Sequence, residues 1–159
     1  MNKAIFLDRD GVINVERGYT HEVQDFLILP DLIEVLQLFL KRGYLLIVVT
    51  NQSGIAKGLY TQQHVETIHQ FMLNEFTKSG IVISEIYYCV HHPDVCNCIC
   101  RKPDSLFVEK GLARFNIDPK QSYFIGDKER DVEAGTKAGV KGILIEANIS
   151  LKTILDQIN

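Results

Sequence analysis

The chain has 159 residues, of which 46% are hydrophobic and 23% are charged, a composition typical of one soluble globular domain. Its formal net charge of −3 leaves no basic field that would attract nucleic acid or an anionic membrane. No apolar run approaches the roughly 20 residues of a membrane span, and Met1-Asn2-Lys3 leads into a strand without a signal peptide, so we expect a cytoplasmic protein.

Strands and helices alternate along the chain. Hydrophobic periodicity and turn residues predict strands at 4–7, 45–49, 86–90, 123–125 and 142–145. They predict helices at 31–41, 62–78 with Thr61 as N-cap, 104–115 and 129–138, a loop at 12–30, and a last amphipathic helix that begins near Ser150. The alternation indicates an α/β domain, a doubly wound parallel sheet with helices on both faces.

Two carboxylates stand where the first strand ends. Asp8 and Asp10 are two residues apart, so in a strand they share a face. Carboxylates this close repel each other unless a cation neutralises them or one holds a proton. The pair therefore indicates a divalent metal.

Other strand ends are polar as well, and the carboxyl ends of parallel strands meet at the crevice where open α/β sheets bind ligands. The residues predicted there are Asp8, Asp10, Thr50, Asn51, Lys102, Asp127 and Asp131. Carboxylates, a hydroxyl and a lysine together suit a metal and a phosphoryl group. Asp8, Asp127 and the backbone carbonyl of Asp10 would suffice as protein ligands for Mg²⁺.

Four motifs in this order resemble those of the haloacid dehalogenase (HAD) superfamily. They are Asp8-Arg9-Asp10-Gly11, Thr50, Lys102, and Gly126-Asp127 with Asp131. The resemblance implies a Rossmann-like core in which Asp8 forms an aspartyl phosphate while Asp10 protonates the leaving alkoxide and then activates water. It also implies that Mg²⁺, Thr50 and Lys102 meet the phosphoryl oxygens, and that Asp131 supports Lys102 or the metal waters.

All four cysteines lie between residues 89 and 100. In a reducing cytosol such clustering favours a metal over a disulfide, and tetrahedral zinc suits cysteine and histidine ligands. More candidates are present than the four places of a structural site: Cys89, His91, His92, Cys96, Cys98 and Cys100. A redox pair is disfavoured because no Cys-x-x-Cys spacing occurs.

This zinc loop, residues 89–100, resembles the zinc-bearing branch of the superfamily, which contains heptose 1,7-bisphosphate phosphatases and histidinol-phosphate phosphatases. The resemblance assigns a structural zinc to Cys89, His91, Cys98 and Cys100 and leaves Cys96 as an extra thiol. Because the loop runs into Arg101-Lys102, the metal would fix the phosphate-binding lysine in place.

Two segments, Glu16 to Tyr19 and Asn51 to Gly58, look like the loops by which the heptose enzymes contact a sugar bisphosphate. The substrate contacts implied are Glu16, Arg17, Gly18, Tyr19, Asn51, Gln52, Ser53, Lys57, Arg101 and Lys128. Lys57 stands where arginine is more usual, and with Arg101 and Lys128 it supplies charge for a second phosphate. No cap domain is expected, so loops at 12–30, 51–60 and 91–102 would cover the site.

We therefore expect one domain over residues 1–159, a monomeric phosphatase with Mg²⁺ and Zn²⁺ that hydrolyses D-glycero-D-manno-heptose 1,7-bisphosphate to heptose 1-phosphate. A phosphatase for histidinol phosphate or another small phosphomonoester is the alternative. A receiver-type phosphoacceptor would not need Asp10, because it uses no general acid. A zinc-ribbon nucleic-acid binder is disfavoured by the acidic balance.

Overall fold

A computed structural model describes residues 1–158 and contains one five-stranded parallel sheet. The strands are β1 (Lys3–Leu7), β2 (Tyr44–Asn51), β3 (Glu85–Cys89), β4 (Tyr123–Gly126) and β5 (Lys141–Leu144). Their order across the sheet is β3-β2-β1-β4-β5, so the central strand β1 pairs with β2 on one side and β4 on the other. The chain therefore winds outward in both directions from β1.

Helices cover both faces of the sheet. Successive side chains of a strand point to opposite faces, and because both sets are apolar here, each face must be covered. The helices are α1 (Leu32–Lys41), α2 (Gln62–Lys78), α3 (Leu106–Arg114) and α4 (Glu129–Lys137). Ile5 and Leu7 of β1 belong to the core under α1 and α2, whereas Phe6 belongs to the core under α3. The α4 helix approaches Phe124 at Gly135, on the same face as α3. The predicted doubly wound α/β fold is confirmed.

The strands β1 to β5 and the helices α1 to α4 agree with the predictions to within two residues at each end, and the last helix differs in type. The α2 helix spans the predicted residues, and the Thr61 hydroxyl accepts a hydrogen bond from the His64 backbone N–H. The α3 helix begins at Leu106, because Asp104 donates its N–H to the Arg101 carbonyl in a turn. The last helix is a 3₁₀ helix, Leu151–Gln157, with Ser150 as N-cap.

Loops at the carboxyl edge of the sheet replace a cap. Between β1 and α1 the described chain forms only a 3₁₀ turn, Val23–Asp25, and isolated bridges, and no folded unit is inserted after β1 or β2. None of the helices described combines the length and apolarity that a bilayer span requires. The strand ends consequently open on a cleft lined by loops.

Candidate active site

The buried centre of the cleft is an ion-pair triad formed by Asp8 after β1, Lys102 after the zinc loop and Asp131 in the first turn of α4. Lys102, whose side chain is 1% exposed, places Nζ 2.9 Å from Asp8 Oδ1 and 2.6 Å from Asp131 Oδ1. Its Nζ also donates to the Val49 carbonyl at 2.8 Å. A lysine this deeply buried requires such partners, since an unpaired buried charge is costly.

The two carboxylates of the triad keep the lysine charged. Burial alone would lower the pKa of Lys102, but the charges of Asp8 and Asp131 outweigh it and raise that pKa above its ordinary value. Burial raises the pKa of Asp8, opposed by Lys102 and reinforced by Asp131. A further cation beside Asp8 would favour its ionised form.

Asn51, at the end of β2, fixes the backbone of Lys102. Its Oδ1 accepts the Lys102 N–H at 3.0 Å, and its Nδ2 donates to the Lys102 carbonyl at 3.1 Å. This reciprocal pair anchors the zinc loop to the sheet. Thr50, 1% exposed, lies under the cleft with its Oγ1 accepting from Gln52 Nε2 at 2.9 Å.

Asp10 has different neighbours from Asp8. The Arg9 guanidinium lies 3.0 Å from Asp10 Oδ1, Asn14 Nδ2 donates to Oδ1 at 2.9 Å, and Gln52 Nε2 donates to Oδ2 at 3.1 Å. Burial would raise the pKa of Asp10, but Arg9 and these hydrogen bonds outweigh it and hold the pKa below its usual range. The surroundings of the two carboxylates therefore act in opposite directions, raising the pKa of Asp8 and lowering the pKa of Asp10.

Arg9 is itself fully buried behind Asp10. Its guanidinium donates to the Thr20 carbonyl at 3.2 Å and lies 3.4 Å from His69 Nε2. Burial, with Arg9 adding to it, lowers the pKa of His69 to about 3. The neutral imidazole therefore accepts from Arg9 at Nε2, and the guanidinium faces Asp10 as its only carboxylate partner in the described chain.

Three carboxylates meet the requirements of a hard cation. Oxygens of Asp8, Asp127 and Asp131 all lie within 4.8 Å of one another, and the buried Asp127 Oδ2 is paired with Lys128 Nζ at 2.9 Å. Such oxygens suit Mg²⁺. Both oxygens of Asp131 are engaged, by Lys102 and by the Lys128 N–H, which fits a supporting role. The Asp10 carboxylate lies outside this group.

The cleft above the triad has a volume of about 340 Å³. Its lining residues are Asp8, Asp10, Glu16, Gly18, Tyr19, Asn51, Gln52, Ser53, Lys57, Tyr60, His92, Arg101, Asp127, Lys128 and Arg130. Of the substrate contacts expected from the sequence, Arg17 alone is not among them; it is exposed. Tyr60, His92 and Arg130 were not predicted as substrate contacts, although Tyr60 and His92 lie within loops that were expected to cover the site.

The lining carries cations that no carboxylate neutralises. Lys57 Nζ donates to the Tyr19 hydroxyl at 2.9 Å, and Arg101 donates to the His91 carbonyl at 3.1 Å. Within residues 1–158, neither of them nor Arg130 forms an ion pair with an acidic side chain. Lys128, by contrast, is paired with Asp127. The cleft therefore presents free positive charge beside the triad, which suits an anionic ligand.

The zinc loop gathers four ligand atoms at one point. Cys89 Sγ lies 3.7 Å from Cys98 Sγ, 3.2 Å from Cys100 Sγ and 3.5 Å from His91 Nδ1. A tetrahedral zinc with Zn–S of about 2.3 Å and Zn–N of about 2.0 Å sets ligand atoms roughly 3.5 to 3.8 Å apart. Cys96 is exposed and outside the group. The donor set fits zinc, as do the distances from Cys89 to Cys98 and His91, while the distance from Cys89 to Cys100 is shorter than in that geometry.

Comparison with known proteins gives consistent results. A family model described as HAD-hydrolase-like matches residues 99–158. The D-glycero-beta-D-manno-heptose-1,7-bisphosphate 7-phosphatase of Haemophilus ducreyi is 41% identical over 145 residues, 87% of this chain and 80% of the relative. The D-glycero-alpha-D-manno-heptose-1,7-bisphosphate 7-phosphatase of Campylobacter jejuni is 43% identical over 146 residues, 92% of this chain and 83% of the relative.

Solved structures agree with these relatives. The D,D-heptose 1,7-bisphosphate phosphatase from B. bronchiseptica, complexed with magnesium and phosphate, has a TM-score of 0.85 at 30% identity, covering 97% of this chain and 86% of that one. The resemblance expected from the motifs is thereby confirmed. The chain belongs to the HAD-like phosphatases, phosphoric monoester hydrolases, in the family that includes the heptose-1,7-bisphosphate 7-phosphatases.

Proposed function

We propose that this enzyme hydrolyses D-glycero-D-manno-heptose 1,7-bisphosphate at C7, giving heptose 1-phosphate and inorganic phosphate. The observation that carries the proposal is the free positive charge of the cleft, from Lys57, Arg101 and Arg130, beside a triad that already holds one phosphoryl-binding lysine. One phosphate needs only the triad and its metal. The additional cations suit a second phosphate, and the relatives named above are bisphosphatases.

The first chemical step uses the carboxylate of Asp8. Lys102 and the Arg9 N–H, which donates at 2.8 Å, both hold Asp8 Oδ1 and so fix the plane of the carboxylate. The bond from Asp8 to phosphorus forms as the bond from phosphorus to the C7 oxygen breaks. The pKa of the Asp10 carboxyl is held low before substrate binds. As the phosphate dianion binds beside it, Asp10 takes up a proton and gives that proton to the leaving oxygen, which avoids release of a free alkoxide.

The second step returns the enzyme to its starting state. Water attacks the phosphorus of the aspartyl phosphate while Asp10, now a carboxylate, takes a proton from it, and the bond to Asp8 breaks. The Thr50 hydroxyl and Lys102 bind equatorial phosphoryl oxygens throughout. Most of the acceleration is expected from this fixed charge and alignment.

Magnesium would be held by Asp8, Asp127 and the backbone carbonyl of Asp10, with Asp131 in support, and would neutralise charge on the phosphoryl oxygens when bound. The sugar and its second phosphate would lie against Glu16 to Tyr19, Asn51 to Ser53, Lys57, Arg101 and Lys128. Arg17 is the weakest member of this set because it is exposed away from the cleft.

Zinc has a structural role in this proposal. Bound by Cys89, His91, Cys98 and Cys100, it would fix the loop that carries Arg101 and Lys102. We further propose that residues 1–159 act as one domain, since both cores share one sheet, and that the enzyme is a cytoplasmic monomer. A reducing compartment suits four cysteines that form no disulfide.

Phosphorus NMR of the reaction tests the proposal directly. We expect the C7 phosphate resonance to be replaced by inorganic phosphate, while the anomeric phosphate resonance persists. Loss of the anomeric phosphate, or no loss of either, would contradict the proposed reaction. Both anomers should be supplied, since relatives of each specificity align at similar identity.

A further inference from the structure

Gln52 connects Asp10 to a residue outside the motifs. Its amide nitrogen donates to Asp10 Oδ2 at 3.1 Å and to Thr50 Oγ1 at 2.9 Å. Its amide oxygen accepts from the Tyr60 hydroxyl at 2.7 Å. Gln52 is 2% exposed, so each of these bonds replaces water that the amide has lost. The amide is fixed at both ends.

The Tyr60 side chain packs into a space beside His21 and Gly54. The ring is 5% exposed and stacks on His21 with centroids 5.3 Å apart. A Cβ on Gly54 would collide with the Tyr60 ring, so the glycine provides the space. A side chain held this way has little freedom to move its hydroxyl.

The Tyr60 hydroxyl remains a donor because burial raises its pKa to about 12. An amide can rotate by 180° at almost no steric cost, which would turn its oxygen toward the Asp10 carboxylate. The Tyr60 hydroxyl and the acceptors Asp10 and Thr50 together select the orientation in which the NH₂ faces Asp10. Without the hydroxyl, the Gln52 oxygen is a buried acceptor with no partner.

We infer that Tyr60 is a positioning residue that orients Asp10 through the Gln52 amide. The inference rests on the proposed role of Asp10 as general acid. Arg9 donates to both oxygens of Asp10, and the Gln52 amide, held by Tyr60, donates to Oδ2 as well. Tyr60 would thus affect the step in which Asp10 transfers a proton, without binding the phosphoryl group.

Two aryl phosphates without a sugar separate this role from substrate binding. Nitrophenolate is a good leaving group and departs without being protonated. Phenolate is a poorer leaving group, so its departure is faster when Asp10 protonates the leaving oxygen. We would compare kcat/KM for phenyl phosphate and 4-nitrophenyl phosphate in Tyr60→Phe, Gln52→Glu and Asp10→Asn. Tyr87→Phe is the matched control, because it removes the hydroxyl of a ring that stacks on Phe107 outside the cleft.

General acid catalysis is worth about 10²–10⁴-fold, so partial misalignment in Tyr60→Phe should cost about 10-fold on phenyl phosphate and under about 3-fold on 4-nitrophenyl phosphate. Gln52→Glu should show the same selectivity with a larger loss, and Tyr87→Phe should lose neither. Equal losses on both esters, or none, in Tyr60→Phe overturn the inference. Equal losses in Asp10→Asn instead overturn the proposed acid role of Asp10 and the inference with it.

Discussion

Asp8 and Asp10 are the same residue type at neighbouring positions, and their surroundings give them different chemistry. Asp8 faces Lys102 and Asp131 in a buried triad, whereas Asp10 is held by Arg9, Asn14 and Gln52. The contacts separate the two groups: Asp8 lies beside the other candidate metal ligands, whereas Asp10 is oriented by its own set of donors. Each proposed role can be tested by single substitution.

Asp8→Asn should abolish turnover, with a loss of at least about 10³-fold in kcat, because an amide is neither a useful nucleophile nor a strong metal ligand. Phosphate release from any accepted ester measures the effect. Asp156→Asn, at an exposed position in the last 3₁₀ helix, should retain wild-type activity. Hydrolysis by Asp8→Asn at the wild-type rate would exclude the covalent mechanism.

Arg101→Ala should weaken turnover of the sugar bisphosphate far more than that of 4-nitrophenyl phosphate, which has no second phosphate. Loss of a charged hydrogen bond costs about 1.5–3 kcal/mol, or roughly 10- to 100-fold in kcat/KM. Arg114→Ala is the matched control, because that arginine pairs with Glu85 on the surface. A proportionate loss on both substrates would show that Arg101 does not anchor the second phosphate.

The proximity of the polar residues at the strand ends could be predicted. Parallel strands bring their carboxyl ends to one edge of the sheet whatever the path of the loops. The pairing of Lys102 with Asp8 and Asp131 follows from that topology. Tyr60 and Arg130 could not be predicted, since their positions depend on loop packing. The position of the Tyr60 ring, for example, depends on contacts with Gly54 and His21.

The zinc loop, residues 89–100, is the element whose order depends most on a metal, because Val95 and Ile99 are exposed and contribute nothing to the core. Purified protein should carry about one zinc per chain. Cys98→Ser should lose it, whereas Cys96→Ser, which alters a thiol outside the cluster, should keep it. Elemental analysis measures both.

Chelation should lower the melting temperature of the wild type and of Cys96→Ser, since binding energy at a structural zinc contributes to folding. Burial raises the pKa of Cys89, so the thiolate there requires a cation beside it. Wild-type protein that contains no zinc and shows no thermal shift on chelation would remove the zinc assignment while leaving the triad unaffected.

The α2 helix begins at a cap that can be tested within the same element. Thr61→Ala should lower the free energy of unfolding by about 1 kcal/mol, because the His64 N–H loses its acceptor. Thr67→Ala, at an exposed position in the middle of α2, should be neutral or slightly stabilising, since alanine favours helix. Urea denaturation measures both; equal stability of the two variants would contradict the capping assignment.

The positions of helices and strands could be predicted from hydrophobic periodicity, but the residues at which they begin and end could be predicted less well. The cap at Thr61 has a local signature, and the predicted helix was found to the residue. The start of α3 depends on the turn that follows Lys102, and that turn is set by the distant Asn51 contact. The 3₁₀ geometry of Leu151–Gln157 likewise depends on packing against α1 rather than on periodicity.

In the whole molecule, the fold sets two candidate metal sites at the carboxyl edge of the sheet, one of three carboxylates and one in the zinc loop. The fold assembles the triad from the end of β1, the first turn of α4 and the loop after β3, in which Arg101 and Lys102 follow the zinc loop. Three loops replace a cap domain and leave room for a small phosphorylated ligand. The arrangement favours a compact bisphosphate over a macromolecular substrate.

A direct comparison of kcat/KM tests the proposed substrate. The substrates are the two anomers of D-glycero-D-manno-heptose 1,7-bisphosphate, histidinol phosphate and fructose 1,6-bisphosphate, each supplied with Mg²⁺. We predict that at least one heptose bisphosphate exceeds histidinol phosphate by about 100-fold, since a second anchored phosphate is worth roughly 1.5–3 kcal/mol. We predict that it also exceeds fructose 1,6-bisphosphate, which has two phosphates, because only the heptose makes the expected sugar contacts. Equal kcat/KM for histidinol phosphate and the preferred heptose anomer would contradict the account.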